Sequence, residues 1–237
     1  MLTANNSATG GALKKPGIKE GVVAGVPVFA GYFPIAVTFG LLAVSVKMTL
    51  AGTFCFSAIV FAGASQFMGL TMLGSGAGSG EIVLAAFLLN FRHFLMSASL
   101  SSRASFNKKL IPFIAFGITD ETFSVASMRA GGVSERFLLG LNFTAYAGWV
   151  SGTVAGFAAG NFLPAIVQES ISICLYAMFA ALLVPAVKKS LKAGAIALAA
   201  GFINSVLAYF SLCGAGWGIV VSILFASTAG MILFGEE

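Results

Sequence analysis

The chain has 237 residues, of which 58% are hydrophobic and only 9% charged, with a mean hydropathy of +0.98. A soluble domain averages about 25% charged residues, so composition alone excludes a water-soluble globular protein. The formal net charge of +5 comes from bases spread as pairs and triplets between apolar segments, which argues against a nucleic-acid partner and for topology signals in a lipid bilayer.

Residues 1–20 are polar, with Lys14, Lys15 and Lys19 just before the first apolar run. They read as a disordered cytoplasmic tail, and residues 21–237 as one transmembrane helical domain. The run that follows is about twice the length of a signal-peptide core, so the first helix is expected to stay as an uncleaved anchor.

Eight apolar segments follow, near 21–46, 52–73, 82–101, 110–128, 137–160, 170–187, 193–212 and 216–234. Blocks of about 20 apolar residues recur and the period-2 alternation of a membrane barrel is missing. The fold class is therefore all-α, a polytopic membrane protein with six to eight transmembrane helices.

The number of crossings turns on two segments. If all eight cross with the N-terminus inside, Lys14, Lys15, Lys19, Arg129, Arg136, Lys188, Lys189 and Lys192 are cytoplasmic, and Lys47, Arg103, Lys108 and Lys109 external. If 52–73 and 110–128 are re-entrant, Lys47 is the only external base among these, which fits the positive-inside rule better. Both segments carry reasons to break: Gly63-Ala64-Ser65-Gln66 in the first, and Pro112 with Thr119-Asp120-Glu121-Thr122 in the second. Against this stands an echo at an offset of 85 residues (Pro27 with Pro112, Ala62-Gly63 with Ala147-Gly148, Phe94 with Phe179), the arithmetic expected of an inverted three-plus-three repeat.

Polar residues at bilayer depth are the candidates for function. A charge there costs roughly 2.5–3.5 kcal/mol on insertion scales and persists when paired or facing a polar cavity. Two runs qualify: Asn90-Phe91-Arg92-His93 and Thr119-Asp120-Glu121-Thr122.

Other motifs read as packing. Gly140, Thr144, Gly148, Gly152, Gly156 and Gly160 recur every four residues, a small-residue ridge for close approach of an internal helix or a separate subunit. Pro27, Pro34, Pro164 and Pro185 read as kinks or helix ends. Cys55, Cys174 and Cys213 stand singly in apolar runs, as buried thiols rather than a disulfide framework or zinc site. Gly74 to Gly80 lacks phosphate-loop spacing, and neither GxSxG nor HExxH occurs, so no nucleotide site, metal, cofactor or hydrolase is indicated.

The elements Phe61-Ala62-Gly63-Ala64-Ser65-Gln66-Phe67, Asn90-Phe91-Arg92-His93, Pro34 with Phe39-Gly40, and Phe116-Gly117-Ile118-Thr119-Asp120-Glu121 together resemble the AzlC-type family over roughly residues 20–190. Those proteins are the large subunits of branched-chain amino-acid exporters. The resemblance implies a bacterial inner-membrane exporter of valine, leucine, isoleucine and sometimes methionine, acting with a small AzlD-type membrane subunit. It implies a transporter, not an enzyme.

A zwitterion needs donors for its carboxylate, acceptors for its ammonium and an apolar pocket. Arg92 offers a planar fork, Asp120 and Glu121 offer acceptors, and the chain holds 23 phenylalanines. On a helix Asn90, His93, Ser97 and Ser101 share one stripe, the better pathway lining, while Arg92, Ser99 and Arg103 share another. Arg92 either contacts substrate or neutralises Asp120 or Glu121. Gln66 either contacts substrate or caps a broken helix, whose free N–H groups at Gly63, Ala64 and Ser65 suit a carboxylate. Without a nucleotide motif, coupling is expected to be secondary, with His93, Asp120 and Glu121 as proton carriers. Transport of another small zwitterion and a non-transporting assembly subunit are the competing readings.

Overall fold

The computed structural model describes residues 16–102, 106–129, 132–160, 190–210 and 215–234, with single positions (162, 180, 183, 184, 187, 188 and 212) between them. Among these residues all regular structure is helical: α1 (Ile18–Ser45), α2 (Leu50–Ile59), α3 (Gly63–Gly74), α4 (Ser79–Ser101), α5 (Ile111–Phe116), α6 (Asp120–Ser127), α7 (Glu135–Gly160), α8 (Leu191–Tyr209) and α9 (Ala215–Phe234). Three of them, α1, α4 and α8, are long and apolar enough to cross a membrane by length and composition. The segment expected over 170–187 lies almost wholly outside the described residues, as do residues 1–15, Pro164, Pro185, Cys174 and Cys213. Helix α1 begins at Ile18, so residues 18–20, read from sequence as tail, form its first turn.

The spine is a parallel pair, α1 and α7. Glycines on both helices allow backbone contact: a Cβ at Gly140 would strike the Ile18 carbonyl, one at Gly156 the Val37 carbonyl, and one at Gly40 the backbone of Thr153 and Phe157. Gly148 faces Phe29 and Gly160 faces Val44, so the two chains rise together from one end of the bundle to the other. The small-residue ridge is thereby assigned to an internal partner. Pro27 and Pro34 lie inside α1, which continues through both.

Two hairpins fill the space beside this spine. Helix α1 ends where Lys47 takes a left-handed conformation (φ 59°) and Met48 N–H donates to the Ala43 carbonyl at 2.9 Å, closing the helix as glycine commonly does. The chain then enters through α2, breaks at Val60 to Ala62, and returns through α3 until Gly74 meets the Val46 side chain. Entry and exit are at one end of the bundle.

The second hairpin mirrors the first from the opposite end. Asn107 N–H donates to Glu135 at 3.0 Å before α5, and Arg129 pairs with Glu20 at 2.8 Å after α6, both beside the start of α1 and α7. Between them the chain breaks at Gly117 to Thr119. The tips meet midway, with the rings of Phe61 and Phe116 6.1 Å apart and both against Tyr146.

This arrangement does not follow the 85-residue echo. That offset pairs Pro27 inside α1 with Pro112 in the first turn of the short α5, and the tip residues Ala62-Gly63 with Ala147-Gly148 in unbroken α7. Helices α8 and α9 pair with each other through Gly230 against Ile196 and Gly218 against Asn204, and Val220 of α9 packs with Met72 and Ala85. Cys55 is exposed on α2 and not buried as the sequence suggests.

Candidate functional site

The first hairpin tip is built to leave a helix start open. Val60 to Ala62 forms a tight turn in which Ala62 N–H donates to the Val60 carbonyl, Ala62 occupies the N-cap of α3 with no side chain to cap it, and the N–H groups of Gly63, Ala64 and Ser65 have no partner among the described residues. Its supports lie behind. Gln66, 0% exposed, donates through Nε2 to the Phe56 carbonyl at 2.8 Å and clasps the two arms of the hairpin. Asn90 of α4 donates to Ser65 Oγ at 2.9 Å, and Ser65 in turn donates to the Ala62 carbonyl at 2.9 Å.

The second tip is capped by its own side chains. Thr119 N–H donates to Thr122 Oγ1 at 2.8 Å and Thr122 N–H donates back to Thr119 Oγ1 at 3.3 Å, a reciprocal cap that satisfies the third N–H of α6. The Thr122 hydroxyl donates to the Gly117 carbonyl at 3.0 Å. Asn142 of α7 clasps this hairpin as Gln66 clasps the other, donating to the Ile114 carbonyl at 3.0 Å. Asp120 and Glu121 follow in the first turn of α6, where the helix dipole favours negative charge.

Two neighbouring helices hold these acids. Arg92 Nη1 of α4 lies 3.0 Å from Asp120 Oδ2, an ion pair whose side chains are 41% and 48% exposed. Tyr32 of α1 donates to Glu121 Oε2, and its oxygen lies 2.7 Å from Thr119 Oγ1, placed to accept from that hydroxyl. Of the two acids, Asp120 carries the cationic partner, while Glu121 has a neutral one.

A cavity of about 60 Å³ separates the tips. Ala62, Gly63 and Ala64 line it from one hairpin, Thr119, Asp120 and Glu121 from the other, Arg92 and His93 from α4, Tyr32 and Ile35 from α1, and Trp149 from α7. Of the residues expected from sequence, Gly63, Ala64, Arg92, His93, Asp120 and Glu121 reach the cavity, whereas Ser65, Gln66 and Asn90 brace its walls. The helical stripe that separated Arg92 from His93 does not divide them here, because a long guanidinium stem can reach around its helix. Among the described residues no group of three or more His, Cys, Asp or Glu could hold a metal ion.

Tyr32, Ile35 and Trp149 were not legible as site residues. In apolar helices they look like any packing residue, and only the scarcity of Tyr (4) and Trp (2) marks them. Tyr32 and Trp149 meet edge to face at 5.4 Å, behind the first tip.

Comparison with known proteins gives the family. A family model described as AzlC protein matches residues 27–163. An uncharacterized membrane protein of Archaeoglobus fulgidus is 33% identical over 227 residues, covering 92% of this chain and 94% of that one. Inner membrane protein YgaZ of Escherichia coli is 33% identical over 170 residues, 68% of this chain and 69% of its own length. The branched-chain amino acid transport protein AzlC of Bacillus subtilis is 24% identical over 58% of this chain and 56% of its own. No solved structure matches the chain.

Proposed function

This chain belongs to the AzlC family of membrane transport proteins, and from that premise we propose that it exports branched-chain amino acids, gripping the zwitterion between its two hairpin tips. It is a multi-pass membrane transport protein and not an enzyme. The substrates are valine, leucine and isoleucine, with methionine as a longer unbranched relative. The carboxylate sits at the uncapped start of α3 with Arg92, the ammonium at Glu121 and Asp120, and the aliphatic side chain against Ile35 and Trp149.

One observation carries this reading: free N–H donors and carboxylates face each other across a single cavity whose remaining walls include Ile35 and Trp149. A passive assembly subunit has no need of an open helix start beside two acids. A different small zwitterion remains the competing substrate, since both charged ends would be read alike.

Six crossings with two re-entrant hairpins suit the contacts at both ends of the bundle, and they leave Lys47 alone among the bases outside the site on the external face. The protein sits in the bacterial inner membrane with its N-terminus cytoplasmic, beside a small AzlD-type subunit. Coupling is secondary and uses protons, carried by His93, Asp120 and Glu121 in one cavity.

The test is efflux of labelled valine, leucine, isoleucine and methionine from proteoliposomes holding the purified chain, with and without a small membrane partner. Efflux accelerated by an imposed proton gradient supports the proposal. Absence of flux for all four in both preparations contradicts it.

A further inference from the structure

Two side-chain donors at the cavity are buried atoms without a partner among the described residues, Trp149 Nε1 and Arg92 Nε. Trp149 as a whole is 3% exposed and lines the cavity. A buried indole N–H ordinarily finds an acceptor, because leaving it unpaired forfeits its hydration with nothing in return. The ring's position is tightly set. Tyr32 meets it at 5.4 Å and Phe67 at 6.4 Å, both edge to face, and Phe39 lies at 6.3 Å.

Its contact with the first tip explains one residue choice. A Cβ on Gly63 would stand 2.6 Å from Trp149 Cη2 and 3.2 Å from both Cζ2 and Cζ3, so only glycine lets the benzene end of this indole lie against the first turn of α3. The unpaired indole N–H therefore belongs to a ring that abuts the first turn of α3 and lines the same cavity as Gly63 and Ala64, whose free N–H groups are donors too. A cluster of unpaired donors calls for an anion.

We propose that Trp149 is a substrate-positioning residue whose indole N–H donates to the carboxylate docked at the start of α3. This rests on the amino-acid reading above and adds to it a fixed neutral donor that orients the carboxylate, while Arg92 supplies charge. The ligand class is an α-amino carboxylate. An amine lacking the carboxylate gains nothing from this group.

The experiment uses the full chain in detergent with 15N-labelled tryptophan and Trp217→Phe, which leaves Trp149 as the sole indole; Trp217 lies on α9 and is 46% exposed. Valine is expected to shift the Trp149 indole N–H resonance and isobutylamine to leave it in place. In a second variant Trp149→Phe is expected to raise the valine Kd by about tenfold or more while leaving isobutylamine binding unchanged. Valine that binds without moving the indole resonance and with the same Kd in Trp149→Phe overturns the role of Trp149 and leaves the amino-acid site standing. Absence of binding by valine, leucine, isoleucine and methionine to the unmutated chain overturns both. Should Trp149→Phe not fold, the resonance of the native Trp149 decides alone.

Discussion

The two hairpin tips are alike in construction and opposite in chemistry. Each is a helix break at mid-bundle, each is clasped by a buried amide (Gln66 in one, Asn142 in the other), and each begins a new helix facing the same cavity. The second tip has a reciprocal cap from Thr119 and Thr122 and displays two carboxylates, whereas the first has no side-chain cap and carries no charge. The difference teaches that the cap and the first-turn residues together set the charge that a broken helix presents. Unsatisfied backbone survives at such depth only against protein or a polar cavity, which is why the proposal sets the ligand's anionic end at the uncapped tip.

Breaking the charge balance should have the largest effect. Arg92→Ala removes the cation that faces both tips and leaves Asp120 unpaired, and valine efflux is expected to fall about a hundredfold. Near-normal efflux would remove Arg92 from the site. Next, Glu121→Gln should weaken valine binding by about tenfold and Asp120→Asn by less, since Asp120 is already neutralised by Arg92 while Glu121, among the described residues, is held by the neutral Tyr32 hydroxyl. Calorimetric Kd values in the reverse order would assign the ammonium to Asp120.

Making the first tip resemble the second sharpens the comparison. Ala62→Ser supplies the missing cap, so thermal unfolding should show a gain of about 0.5–1 kcal/mol, while the KM for valine rises several-fold as the new hydroxyl occupies one of the donors. A gain in stability with unchanged KM would show that these N–H groups do not meet substrate. The smallest effect is expected from the reverse change. Thr119→Ala should cost about 1 kcal/mol in the same unfolding measurement, with efflux reduced only as far as the acids lose their register.

Much of this was readable from residues. Charges stranded in apolar runs pointed to Arg92, Asp120 and Glu121 because their cost at depth demands a partner, and Gly63-Ala64-Ser65 and Thr119 to Thr122 marked the breaks. The glycine ridge was visible as a period of four, although only contact with α1 says what it packs against. What stayed hidden depends on direction rather than type. Gln66, Ser65 and Asn90 are polar residues of the right kind that brace the cavity's walls, and Tyr32 and Trp149 are packing residues by type that line it, Tyr32 with its hydroxyl on Glu121. The 85-residue echo failed because identical small residues recur freely in so Ala- and Gly-rich a chain.

The central claim is that both ends of the zwitterion are read, one at each tip. Competition against labelled valine in proteoliposomes tests it most directly, using unlabelled valine, isobutylamine (no carboxylate) and isovalerate (no ammonium) at equal concentration. The account predicts that valine blocks the labelled flux and neither one-ended analogue does. An analogue that competes as well as valine would contradict it, because one tip would then contribute nothing to recognition.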